Sequence, residues 1–148
     1  MSVIKNGRHY LPTFAQLCDR LSIVTLKSIK IHENKEEYEQ EAKLIMKDIS
    51  LSFNTFKLNY KEMGYLLRAI QVNAVTNEMI WNNESKARQG SKEQDKLLKL
   101  THSLNRIRNQ AMNVISHIIG ERKDLKLDYM DAELTKKFGY DFEGVLNE

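Results

Sequence analysis

Residues 67–120 read LRAIQVNAVTNEMIWNNESKARQGSKEQDKLLKLTHSLNRIRNQAMNVISHIIG, and this stretch decides the fold. Steps of three and four place Leu67, Ile70, Ala74, Asn77, Trp81, Glu84 and Arg88 on one helix face, apolar before the single tryptophan and polar after it. Gly90 supplies a C-terminal stop, and Ser91 with Gln94 makes a capping box for the next helix. Leu97, Leu100, Leu104, Ile107, Ala111, Val114 and Ile118 then recur at helical spacing up to Gly120. So short a connection makes the two helices antiparallel neighbours.

Working toward the N-terminus, residues 1–11 read as a loose polar leader. Thr13, with Gln16 three residues on, caps a first helix carrying Phe14, Leu17, Leu21 and Val24, with Leu26, Ile29 and Ile31 widening the stripe. That helix is predicted to be well buried and to end near Glu33-Asn34. The most regular pattern follows: Tyr38, Ala42, Ile45, Ile49, Phe53, Phe56, Tyr60 and Met63. A helix unbroken from Glu36 to Gln89 would run ~80 Å, too long for a domain of this size. A turn is therefore expected between Ser52 and Gly64, with Asn59 and Glu62 as one capping pair and Gly64 as another break point. Toward the C-terminus, a brief helical pattern from Ala132 to Phe138 stops at Gly139. Phe138, Tyr140, Phe142, Val145 and Leu146 make 121–148 too apolar for a free tail, so it should dock. The prediction is one all-α domain over 1–148, an antiparallel bundle of four main helices plus a short C-terminal helix.

Composition agrees. The chain has 148 residues, 41% hydrophobic and 29% charged, with one proline and six glycines. Loop-rich and all-β chains use more of both as turn punctuation. Cys18 is alone, which excludes an intrachain disulfide and a cysteine-rich zinc site. Without a signal-peptide core or an apolar run of ~18 residues, no membrane association is expected and the expected location is cytoplasmic. The net charge is +3. From Lys86 to Arg108 seven basic residues face only Glu93 and Asp95, whereas Glu33–Glu41 and Asp128–Glu148 are acidic. An anionic partner or mutual packing of these segments would explain that asymmetry, and packing is the commoner explanation.

Several chemistries are missing. No histidine follows a glutamate by three, as di-iron bundles require. The acids between Glu33 and Glu41 lack a facing set, since Glu78 and Glu84 do not share a face, so no metal site is expected. There is no glycine-rich phosphate loop, no G-x-S-x-G elbow and no H-E-x-x-H, and no cofactor is implied. The tyrosines are dispersed, and no short helix pair precedes Arg106 and Arg108, so nucleic-acid binding is not favoured.

What remains is a polar layer in the hairpin. Asn73 and Asn77 lie one turn apart, Glu84 and Arg88 form an i,i+4 pair, and Asn105, Arg108 and Asn109 interrupt the facing stripe. Antiparallel geometry brings Asn73 and Asn77 toward Asn105 and Arg108, while Glu84 approaches Lys96, Lys99 or the first helix. Buried polar groups in bundles usually satisfy one another and fix register. The alternative is a pocket between the third and fourth helices, with Trp81 stacking on a small anionic ligand held by Arg88, Arg108 and Asn109.

Asn77-x3-Trp81-x2-Glu84-x3-Arg88, followed by Leu104-Asn105-x2-Arg108-Asn109, resembles a pattern of uncharacterised small helical proteins of bacterial and phage genomes. Thr13–Ile23 is similar to the opening of some of them, so the resemblance spans about half of the chain. It implies a shared polar layer and carries no activity. The arginines have no evident nucleophile or general base beside them, and no catalytic residue is named. The favoured function is a non-enzymatic binding or assembly module, and the alternative is a pocket protein or enzyme acting on a small phosphorylated or nucleotide-like ligand between the third and fourth helices. Long helices with apolar flanks further predict a homo-oligomer, a dimer above all.

Overall fold

The computed structural model describes residues 11–90 and 92–121, which form four helices and no strand. These are α1 (Phe14–Lys30), α2 (Lys35–Phe53), α3 (Tyr60–Arg88) and α4 (Gln94–Ile119). The all-α bundle expected from the sequence is the fold. Residues 1–10 of the expected leader, Ser91 and the segment 122–148, for which a docked C-terminal helix is expected, fall outside the described residues.

Local chemistry sets the helix ends. The Gln16 N–H donates to the Thr13 hydroxyl at 3.2 Å, while the Thr13 N–H donates to the Gln16 side chain at 2.9 Å. The next free amide, on Phe14, donates to the Glu121 carboxylate at 3.0 Å. Gly120 makes that contact possible: at φ 77 it ends α4 in the left-handed region, and the Glu121 N–H returns to the Ser116 carbonyl at 2.9 Å. The start of α1 and the end of α4 are thereby fastened together, with negative charge at a helix N-terminus.

Two boundaries differ from expectation and one falls inside its expected window. α1 ends at Lys30, earlier than Glu33-Asn34, because Asn34 takes a left-handed turn at φ 61 that redirects the chain into α2. The turn after α2 falls at 54–59, within the expected window from Ser52 to Gly64, and the Asn59 side chain accepts from the Glu62 N–H at 2.9 Å as the capping pair predicted. α4 begins at Gln94 with Glu93 at its cap, so Gln94 is not the third residue of a capping box. Its side chain donates instead to the Ala87 carbonyl at 3.4 Å.

Helix contacts join α3 to α4, and α1 to each of α2, α3 and α4. Helix α1 is thus the hub, and among the described helices α2 leans on it alone. One core cluster unites Phe14, Ala15 and Cys18 of α1 with Leu66 and Ala69 of α3 and Val114 and Ile115 of α4. A second joins Val72 to Leu104, Ile107 and Ala111 along the hairpin. The Phe14 ring meets Phe53 and Phe56 edge-on, with centroids 5.1 and 5.3 Å away. Ile45 is the one buried residue of α2.

The buried face of α3 is a correction to the sequence reading. Leu66, Ala69, Val72, Asn73, Thr76, Asn77 and Asn83 face inward, whereas Leu67 is 58% exposed. The predicted stripe from Leu67 lies one position off because α3 is apolar on two sides at its start, and periodicity alone does not choose between them. The first helix is likewise not apolar-buried all round: Ile29 is 68% exposed.

Candidate functional site

Where α1, α3 and α4 meet, between the two apolar clusters, the interior turns polar. Asp19 stands one turn after Ala15 on α1, a position that points its carboxylate into the bundle. Arg108 grips it side-on, with Nε on Oδ1 at 2.8 Å and Nη2 on Oδ2 at 2.5 Å. Such a fork matches both carboxylate oxygens at once. Asn73 and Asn77 of α3 donate their amides to the same Oδ1 at 3.1 and 2.9 Å. Asn77 also donates to the Ser22 hydroxyl at 2.6 Å, and that hydroxyl donates to the Asp19 carbonyl at 2.8 Å. Three side chains, two from α3 and one from α4, close around one carboxylate on α1.

Electrostatics explain why the layer is tolerated. Burial pushes the Asp19 carboxyl upward, but hydrogen bonds from Arg108 and Asn77, the Arg108 charge and the Asn73 amide outweigh it and hold the group below its ordinary range. The bond to Asp19 in turn raises Arg108 against its own burial. Burial, then the Glu121 and Asp19 charges, push the neighbouring Cys18 thiol up to about 12, so it packs as a small apolar group.

Of the residues read from sequence as a site, Asn73, Asn77 and Arg108 come together. They do so through Asp19, and Asn77 also donates to the Asn73 side-chain oxygen at 3.4 Å, while neither asparagine bonds Arg108 directly. Trp81, Asn105 and Asn109 are half-buried, and none makes a hydrogen bond in the layer. Glu84 and Arg88 are exposed and pair with each other at 3.5 Å, so Glu84 meets neither Lys96, Lys99 nor the first helix. Asp19, Ser22 and Asn83 escaped the sequence reading. Asn83 is buried and clamps the hairpin by donating to the Leu97 carbonyl at 2.6 Å and the Thr101 hydroxyl at 2.5 Å. Ala15, Asp19, Ser22 and Leu26 are spaced four, three and four apart, which was the available signal for Asp19 and Ser22. Among the described residues no group of three His, Cys, Asp or Glu side chains is placed to hold a metal.

A different concavity lies outside the layer. Because α2 touches α1 but not α3, the gap between α2 and α3 stays open as an apolar groove of about 650 Å³. Phe14, Leu26 and Ile29 floor it, Phe53 stands on the α2 side, and Ala74 and Val75 stand on the α3 side. The Lys30–Glu78 ion pair, at 3.1 Å, bridges α1 and α3 at its border.

Comparison with protein-family models, with curated proteins and with solved structures finds no match to this chain. Its own geometry therefore carries the functional reading.

Proposed function

We propose that the protein is a non-enzymatic binding or assembly module. Its polar layer locks three helices in register, and its outer helical surface makes the contacts. The observation that carries this reading is the saturation of Asp19: Arg108, Asn73 and Asn77 all spend their polar groups on one internal carboxylate. An anion entering between α3 and α4 would have to displace a bidentate partner already in place, and Arg88 is engaged by Glu84 on the surface. The module works in the cytoplasm as a homo-oligomer. The likeness to small helical proteins of bacterial and phage genomes extends the same reading, with a common lock and no common chemistry.

A thermal-shift series with inorganic phosphate, nucleotides and small carboxylates tests it, since a ligand that binds the folded state raises apparent stability by mass action. The expected result is no saturable shift with any of them. A saturable rise with one anion, abolished in Arg108→Lys, would overturn the module reading in favour of a ligand pocket.

A further inference from the structure

We propose that the groove between α2 and α3 is the seat of α3 from a second copy of this chain, lying antiparallel to the resident α3. The inference rests on the assembly reading and names its interface. Three observations lead to it. First, α2 and α3 both pack on α1 yet their backbones do not approach each other, so among the described residues one side of the bundle is open. An added helix in that gap would touch α2, α1 and α3 together, as a groove-docked amphipathic helix does.

Second, the outward face of α3 exposes large apolar side chains beside the polar Gln71 and Glu78. Tyr60 is 84% exposed, Met63 51%, Leu67 58% and Val75 54%, and Ile29 and Phe53 at the groove are 68% and 45% exposed. At roughly 100 Å² apiece, about half of what a large side chain buries, these six residues supply ~600 Å². The groove walls add to that figure, which approaches the ~800 Å² each partner gives to a stable pair.

Third, the face is self-complementary. With antiparallel α3 helices crossing at Gln71, Leu67 of one copy stands opposite Val75 of the other, and Met63 opposite Met79. Val75 and Met79 already line the groove, so Met63 and Leu67 of each copy fill the groove of the other. Each contact then occurs twice about one two-fold axis, the closed symmetry that most homo-oligomers adopt. Gln71 is exposed and sits on the axis, where the two side-chain amides can hydrogen-bond.

Gln71→Cys and Val75→Glu test the pairing together. Cys18 is buried, so a thiol at position 71 is the reactive one. The wild-type protein is expected to sediment at twice its 17.3 kDa chain mass at micromolar concentration. Oxidised Gln71→Cys should run as a covalent dimer on a non-reducing gel, as facing Cα atoms within ~7 Å permit. Val75→Glu should sediment as a monomer with unchanged helical circular dichroism, and Leu67→Arg serves as a second variant should Val75→Glu not fold. A dimer that survives both charged variants, or fails to cross-link at position 71, overturns the groove interface and leaves assembly through another surface standing. A monomeric wild type overturns the second copy as occupant, whatever the anion series shows.

Discussion

Two sides of α3 stand in opposition. Its inward side carries Asn73, Thr76, Asn77 and Asn83, each buried, while its outward side carries Tyr60, Met63, Leu67 and Val75, each about half exposed or more. A helix whose stability came only from its own bundle would have these reversed. The inward polar groups are tolerated because every one has a partner: three helices supply the Asp19 layer, Thr76 donates to the Val72 carbonyl at 2.6 Å, and Asn83 clamps α4. The outward apolar groups have no such partner among the described residues. Hydrogen bonds inside fix the register of α3, while its outer side carries the apolar surface proposed for assembly.

The largest effect should come from breaking the inner side. Removing one member of a buried ion pair leaves the other charge unpaired, which costs about 3–5 kcal/mol. Arg108→Met should therefore lower the urea-unfolding free energy by about that amount, and a change under 1 kcal/mol would show that the pair does not hold the bundle. Asn77→Ala comes next, at about 1–3 kcal/mol, because it takes a donor from both Asp19 and Ser22.

That ranking departs from one based on residue type, and the departure marks where the sequence stops being legible. The hairpin stripe of α4 needed only helical periodicity, and Leu104, Ile107, Ala111 and Val114 are fully buried as read. Asn73, Asn77 and Arg108 could be singled out because polar residues interrupt those stripes. Their shared partner could not, since Asp19 lies 89 residues from Arg108 and beside a cysteine that looks like ordinary core. The side of α3 that faces inward was equally hidden: Leu66 and Leu67 are adjacent and chemically identical, and only the position of α1 decides which is buried. Trp81, the most conspicuous residue in the sequence, belongs to neither core cluster. Trp81→Ala should thus fall short of the ~3–5 kcal/mol typical of a buried aromatic, and a full-size loss in urea unfolding would place it in the core after all.

The acid limb of stability sharpens the contrast further. A carboxyl held below its unfolded value contributes stability that is complete above that value, ~3.9 for an aspartate, and is lost as the pH falls through the folded value. The stability gap between wild type and Asp19→Asn should accordingly narrow below about pH 4 in a urea series. A gap constant down to pH 2 would mean that the Asp19 charge does not matter. Smallest of all, Leu67→Gln on the outer side should move single-chain stability by no more than about 0.5 kcal/mol, measured by unfolding under dilute, dissociating conditions.

A double-mutant cycle on Asp19 and Arg108 asks most directly whether the inner side is a lock. Unfolding free energies in urea for wild type, Asp19→Asn, Arg108→Met and the double variant isolate the coupling between the two side chains. With the geometry seen here the coupling should reach about 2 kcal/mol or more, near the top of the range for contacting residues, and the double variant should be little worse than either single one. Additive losses, with coupling near zero, would contradict the lock and return Arg108 to the role of a residue waiting for a ligand.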